Sequence, residues 1–123
     1  MKNPNDSFVR GRIRSLKFAL KGAWLLATTE HSIMVQLGAG VAITVLGFFM
    51  NLSPTEWMIQ FLAIGMVLVA ESLNTGIEKL CDFVHPDFHN KIGFIKDISA
   101  GASTFAAIVA MLIGLIIYLP KFS

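Results

Sequence analysis

The chain has 123 residues, 54% of them hydrophobic and 15% charged, with a formal net charge of +2 and a mean hydropathy of +0.67. A soluble domain of this length carries about 25% charged residues, so these figures exclude an ordinary water-solvated protein and leave a chain solvated mostly by lipid. The charge is too small to point to nucleic acid, the single cysteine, Cys81, excludes an internal disulfide, and the length fits one domain, 1–123.

Residues 1–7 are polar and expected to fray. Over 8–28, Ile13, Leu16, Leu20, Trp24 and Ala27 fall on one helical stripe, and Arg10, Arg14, Lys17 and Lys21 on another. A basic face opposite a Leu/Trp face predicts a helix lying in the membrane interface. The same basic density, with no small-residue cleavage site after a short apolar core, argues against a secretory signal. The first span is predicted over 32–50. It carries no charge, and its 19 residues suffice to cross the hydrocarbon core, which is about 30 Å thick.

The run Asn51-Leu52-Ser53-Pro54-Thr55-Glu56 predicts a tight turn. Ser53 suits an N-cap, Pro54 the first helical position, and Glu56 completes a capping box. Trp57 follows at the depth of interfacial aromatics. The second span, 54–82, is apolar through Ala70 and then carries ionisable residues at nearly every turn. Residues 83–93 form a polar connection containing His85, Pro86, Asp87, His89, Asn90 and Gly93. The third span, 94–119, begins near Phe94 and is expected to stop at Pro120. Its small residues recur every fourth position, as Ser99, Ser103, Ala107 and as Ala106, Ala110, Gly114, a pattern that permits close helix–helix approach in lipid.

The predicted fold is therefore an all-α membrane protein, with three transmembrane helices preceded by an N-terminal amphipathic interfacial helix. Lysine and arginine set its orientation. Lys2, Arg10, Arg12, Arg14, Lys17 and Lys21 precede the first span, and Lys79, Lys91 and Lys96 flank the second connection. The first connection has neither residue type, and Lys121 stands alone at the far end. The N-terminus and the second connection are expected in the cytoplasm.

Glu71, Asn74, Glu78 and Asp82 are spaced so that, at about 100° per residue, they occupy an arc of roughly 80° on one helix face. Carboxylates near the bilayer are costly and by default mark function. Close together they repel unless a proton or cation intervenes, and carboxylate and carbonyl oxygens suit Mg²⁺. Glu30, before the first span, and Lys96-Asp97, opening the third, are expected at the same depth. No Walker A sequence is present, and Gly38-Ala39-Gly40 inside an apolar span is a packing feature. His85 and His89 read as loop histidines, since Pro86 lies between them and no cysteine pair supports zinc.

The stretch Ala70-Glu71-Ser72-Leu73-Asn74-Thr75-Gly76-Ile77-Glu78-Lys79-Leu80-Cys81-Asp82 resembles the signature of the small prokaryotic diacylglycerol kinase family, E-x-x-N-[ST]-A-I-E-x-x-x-D, with Gly76 in place of alanine. Downstream, His89 and then Gly93-Phe94-Ile95-Lys96-Asp97 are similar to that family's second block. Lys21-Gly22 and Glu30 sit where the family has a glycine and an acidic residue. The resemblance covers nearly the whole chain.

It implies a homotrimer of three-span subunits in the bacterial cytoplasmic (inner) membrane, transferring the γ-phosphoryl of MgATP to a lipid hydroxyl. Diacylglycerol, giving phosphatidic acid, is the first expectation, and undecaprenol the alternative. By the same resemblance Glu71 is the catalytic base, and Glu30 and Glu78 are ligands to Mg²⁺. Asn74, Lys96 and Asp97 hold the phosphates or organise the site, and Asp87 and His89 lie near the nucleotide. Trp24 and Ser99 are expected, with Glu71, beside the lipid. After Glu30 the chain reads His31-Ser32-Ile33-Met34-Val35-Gln36. This matches neither the N-F-x-I-H of the undecaprenol-phosphorylating branch nor the Ala-Ala-Phe-Arg-like stretch of the Gram-negative branch. A non-catalytic membrane scaffold or transporter subunit is the reading from another class. Such a protein has no need of Glu71, Asn74 and Glu78 on one face beside Lys96-Asp97.

Overall fold

A computed structural model of the chain describes residues 4, 5 and 7–123. Lys2 and the parts of the frayed segment at residues 1–3 and 6 lie outside them. The described residues form four helices: α1 (Phe8–Thr29), α2 (His31–Phe49), α3 (Pro54–Val84) and α4 (Asn90–Tyr118). A 3₁₀ turn (Leu119–Phe122) follows. The last three helices are long and apolar enough to cross a membrane, so the chain is a multi-pass integral membrane protein with an amphipathic helix in front.

Ser7 caps α1 by accepting from the Arg10 N–H at 3.2 Å. None of the residues of α1 is buried, and its Leu16 and Trp24 are 60% and 70% exposed. Among the described residues its Leu/Trp stripe is left exposed, which fits a stripe turned to lipid.

Between α1 and α2 a single residue, Glu30, takes an extended conformation (φ −102°, ψ 114°) and serves as both C-cap and N-cap. Glu30 makes no side-chain cap bond, so its carboxylate is available to a neighbouring helix.

The turn between α2 and α3 forms as the sequence predicts. Ser53 accepts from the Glu56 N–H at 3.2 Å, and the Glu56 carboxylate accepts from the Ser53 N–H at 2.9 Å. Asn51 takes the left-handed conformation, φ 54°, which asparagine tolerates better than most residues. Lys121 reaches back to Glu56 at 3.1 Å and ties the end of the chain to this turn.

Above the turn α2 and α3 approach at Gly47. A Cβ there would stand 2.7 Å from the Trp57 ring and 3.0 Å from a Leu52 methyl. Trp57 is itself fixed between Phe48 and Phe61, at ring-centroid distances of 5.0 and 5.5 Å. Gly47→Ala is therefore expected to destabilise the fold by about 1–3 kcal/mol, read as a lower thermal midpoint in detergent. An unchanged midpoint would mean that the two helices separate there at no cost.

A buried polar group then joins the three spans. The Tyr118 hydroxyl donates to Gln60 Oε1 at 2.5 Å and lies 3.2 Å from the Ile43 carbonyl oxygen. That oxygen also accepts from Gln60 Nε2 at 3.5 Å. In hydrocarbon such groups must be satisfied internally, and here they are.

One predicted boundary moves. The third span begins at Asn90 rather than Phe94, because His89 caps it, its Nδ1 accepting from the Lys91 N–H at 3.1 Å. α4 ends at Tyr118 with Leu119 as its C-cap, as the stop at Pro120 predicts, and a 3₁₀ turn follows. Pro120 sits in the first turn of the 3₁₀ segment, where its fixed φ and missing N–H cost little.

Candidate functional site

The site sits on α3. At 1.5 Å per residue this helix is about 46 Å long, more than the roughly 30 Å a bilayer core demands. Measured along the axis from Pro54, Glu71 lies about 26 Å in, near the far hydrocarbon boundary, and Glu78 about 36 Å in, beyond it. Glu71 is half-buried, Asn74 buried and Glu78 exposed. The order along one face is thus a half-buried carboxylate, a buried amide, then an exposed carboxylate.

The packing of α4 on α3 organises this face. Small buried residues of α4, Ser99, Ser103 and Ala106, sit against α3 and admit the close approach predicted from their spacing. The Ser103 hydroxyl donates to Glu71 Oε2. Asn74 Nδ2 donates to Glu78 Oε1 at 3.4 Å. A carboxylate can only accept, so this contact fixes the amide orientation and aims Asn74 Oδ1 elsewhere. That oxygen is buried and has no partner among the described residues.

Two ion pairs frame the face. Lys96 Nζ lies 2.5 Å from Asp82 Oδ1 and ties the start of α4 to the end of α3. Lys79 Nζ lies 3.0 Å from Glu30 Oε1, which draws the α1–α2 joint to the level of Glu78. The sequence predicts Glu30, Glu78 and Lys96 at one depth; the pairs observed join Glu30 to Lys79, next to Glu78, and Lys96 to Asp82. Sequence reasoning missed the partners Lys79 and Ser103, and it left Asp82 without a role. The signal for Lys79 was its place between Glu78 and the basic residues of the connection. The signal for Ser103 was a hydroxyl recurring in a stripe of small residues.

The acidic side chains do not close into a cage. Among the described residues no group of three His, Cys, Asp or Glu side chains is placed to hold a metal ion. Glu30, Glu71, Glu78 and Asp82 each meet a cation or a neutral donor instead, which relieves their mutual repulsion. The donor set nevertheless fits a hard cation. Mg²⁺ takes one or two protein carboxylates and completes its shell with water and phosphate oxygens. Glu30 and Glu78 are the carboxylates that could serve, and the unpartnered Asn74 Oδ1 is a further hard oxygen.

An apolar groove of about 760 Å³ lies beside the face. It runs from Phe61 and Leu62 to Asn74 and Ile77 on α3, and Ile98, Ser99 and Ala102 of α4 complete it. Ser99 thus lies where a lipid would approach Asn74. Trp24 is exposed on α1 and does not line this groove. Asp97 is exposed on α4. Asp87 and His89 lie in the connection, where the Asp87 carbonyl accepts from His85 Nδ1 at 2.7 Å and the His85 and His89 rings are 5.3 Å apart.

Comparison with known proteins adds to this geometry. Residues 17–118 match the family model described as prokaryotic diacylglycerol kinase. The chain is 39% identical over 108 residues to the undecaprenol kinase of Bacillus subtilis (strain 168), an alignment covering 88% of each chain. It is 28% identical over 107 residues to a diacylglycerol kinase of Synechocystis, covering 86% of this chain and 61% of that one.

Proposed function

The chain belongs to the prokaryotic diacylglycerol kinase family, and from that premise we propose that it is an ATP- and Mg²⁺-dependent lipid kinase whose acceptor is undecaprenol. The observation that carries the kinase reading is the placement of Glu71 and Glu78 on one face of α3, at the hydrocarbon boundary and beyond it. A lipid hydroxyl and a nucleotide meet at such a boundary. The apolar groove ending on Asn74 gives the lipid's hydrocarbon a path to that level.

Phosphoryl transfer needs positioning and charge neutralisation more than covalent chemistry. Glu71 takes the proton of the acceptor hydroxyl as that oxygen attacks the γ-phosphorus and the bond from phosphorus to the β–γ bridging oxygen breaks, releasing ADP. Asn74 and Lys96 orient the phosphates, with Asp82 setting where the Lys96 ammonium stands. Glu30 and Glu78, with Asn74 Oδ1, would hold Mg²⁺, which would supply charge neutralisation at the phosphates. Asp97, Asp87 and His89 face the nucleotide side. The basic stripe of α1 suits anionic headgroups on the same side, which supports a cytoplasmic N-terminus and α3–α4 connection, where ATP is, and a place in the cytoplasmic (inner) membrane. The exposed apolar faces of the three spans suit a homotrimer.

Undecaprenol is favoured as acceptor by the 39% identity that spans 88% of both chains. Diacylglycerol, the first expectation from sequence, is the second reading. It is supported by the family's description and by the Synechocystis relative. The two lipids compete directly in detergent micelles. With equal amounts of each, undecaprenyl phosphate is expected to form at least about tenfold faster than phosphatidic acid, a difference of 1.4 kcal/mol in transition-state binding. The reverse ranking would assign diacylglycerol.

A further inference from the structure

Ser103 has a chemical role that its place in a small-residue stripe does not explain. We infer that it is a positioning residue, whose hydroxyl holds one oxygen of Glu71 so that the other faces the acceptor hydroxyl. This rests on Glu71 being the base.

Helical serines and threonines commonly return their hydroxyl proton to the carbonyl four residues back. This chain follows the habit repeatedly: Ser15 to Gly11 at 2.9 Å, Thr28 to Trp24 at 2.7 Å, Thr44 to Gly40 at 2.7 Å, and Thr104, the next residue along α4, to Ala100 at 3.0 Å. Ser103 departs from it. Its hydroxyl crosses to α3 and donates to Glu71 Oε2. The contact is protected, with Ser103 only 9% exposed.

A glutamate side chain has three rotatable bonds, and fixing them costs about 1.5–2 kcal/mol of conformational entropy. A hydrogen bond from a rigid helix meets that cost before the substrate arrives. With Oε2 occupied, Oε1 is left as the oxygen available to a lipid proton. A base must lie within about 2.6–3.2 Å of the proton it takes, and misplacement of a reacting group by about 1 Å costs on the order of a hundredfold in rate. The neighbouring Ser99 is buried as well but lines the lipid groove, so the two hydroxyls divide between the base and the lipid path.

Threonine and valine have nearly the same shape and differ by the hydroxyl. In the purified full-length protein, Ser103→Thr is expected to keep kcat within about threefold of the unaltered chain. Ser103→Val is expected to lose about ten- to a hundredfold in kcat, the range of a charge-assisted hydrogen bond, while the KM for ATP stays within about twofold. The Val variant also loses the α3–α4 hydrogen bond, so its thermal midpoint should fall somewhat below that of the Thr variant. The kcat loss at unchanged KM for ATP, in protein that is still folded, is the readout that carries the positioning role. If the added methyl group unfolds both, Ser103→Ala against the unaltered chain gives the same comparison. Equal kcat for the Thr and Val variants, or an unaltered kcat for Ser103→Ala, would overturn the positioning role. Glu71→Gln separates the two levels. An active Glu71→Gln variant removes the base assignment and this role with it. An inactive one, beside equal Thr and Val variants, removes only the role of Ser103.

Discussion

Replacing Glu71 by glutamine is expected to lower the rate of lipid phosphorylation about a thousandfold, within the 10²–10⁴ range of general base catalysis, without unfolding the protein. The substitution is informative because of what it leaves in place. A glutamine carbonyl still accepts from the Ser103 hydroxyl that now bonds Glu71 Oε2, so the α3–α4 contact survives. What disappears is the capacity to take a proton at that position. The loss should fall on kcat, with the KM for ATP little changed, since Glu71 lies about 10 Å along the helix from Glu78 on the nucleotide side. A Glu71→Gln protein with more than about a tenth of the original kcat would show that another group takes the proton.

Glu78→Gln should fail differently. Glutamine can accept the bond that Asn74 Nδ2 now donates to Glu78 Oε1, so the face keeps its shape and loses one negative charge. A hard cation prefers carboxylate to amide oxygen. The Mg²⁺ concentration giving half-maximal activity is therefore expected to rise at least about tenfold, and the rate at saturating Mg²⁺ to fall about a hundredfold. That drop corresponds to roughly 2.7 kcal/mol of transition-state stabilisation. Titrating MgCl₂ at fixed ATP measures both. A lowered rate with an unmoved Mg²⁺ midpoint would take Glu78 out of the metal site and leave it as a partner of Asn74.

Much of this was legible in the sequence, for identifiable reasons. The capping box at Ser53 and Glu56 forms with both its hydrogen bonds, because its partners are three residues apart and local chemistry decides the contact. The shared face of Glu71, Asn74 and Glu78 follows from helical periodicity alone. The three spans follow from apolar length. What periodicity cannot show is which residues of different helices meet. Ser103 and Glu71 are 32 residues apart, and Tyr118 and Gln60 are 58 apart. Such pairs depend on the rotation of one helix against another, which stripes of small residues permit without specifying. The start of α4 was misplaced because histidine is an uncommon N-cap and Asn90 and Gly93 both read as turn residues. The acidic residues were expected to gather around a cation. In the structure the carboxylates of the face meet Ser103, Asn74 and Lys96, and Glu30 at the α1–α2 joint meets Lys79.

The claim under all of this is that the face of α3 carries phosphate from ATP to a lipid. Supplying γ-labelled ATP and Mg²⁺ to the purified protein in micelles with added undecaprenol and diacylglycerol, and counting label in the extracted lipid, tests it most directly. Label that accumulates in lipid, stops when Mg²⁺ is chelated and falls about a thousandfold in the Glu71→Gln protein is the predicted result. A folded protein that puts no label into either lipid would contradict it.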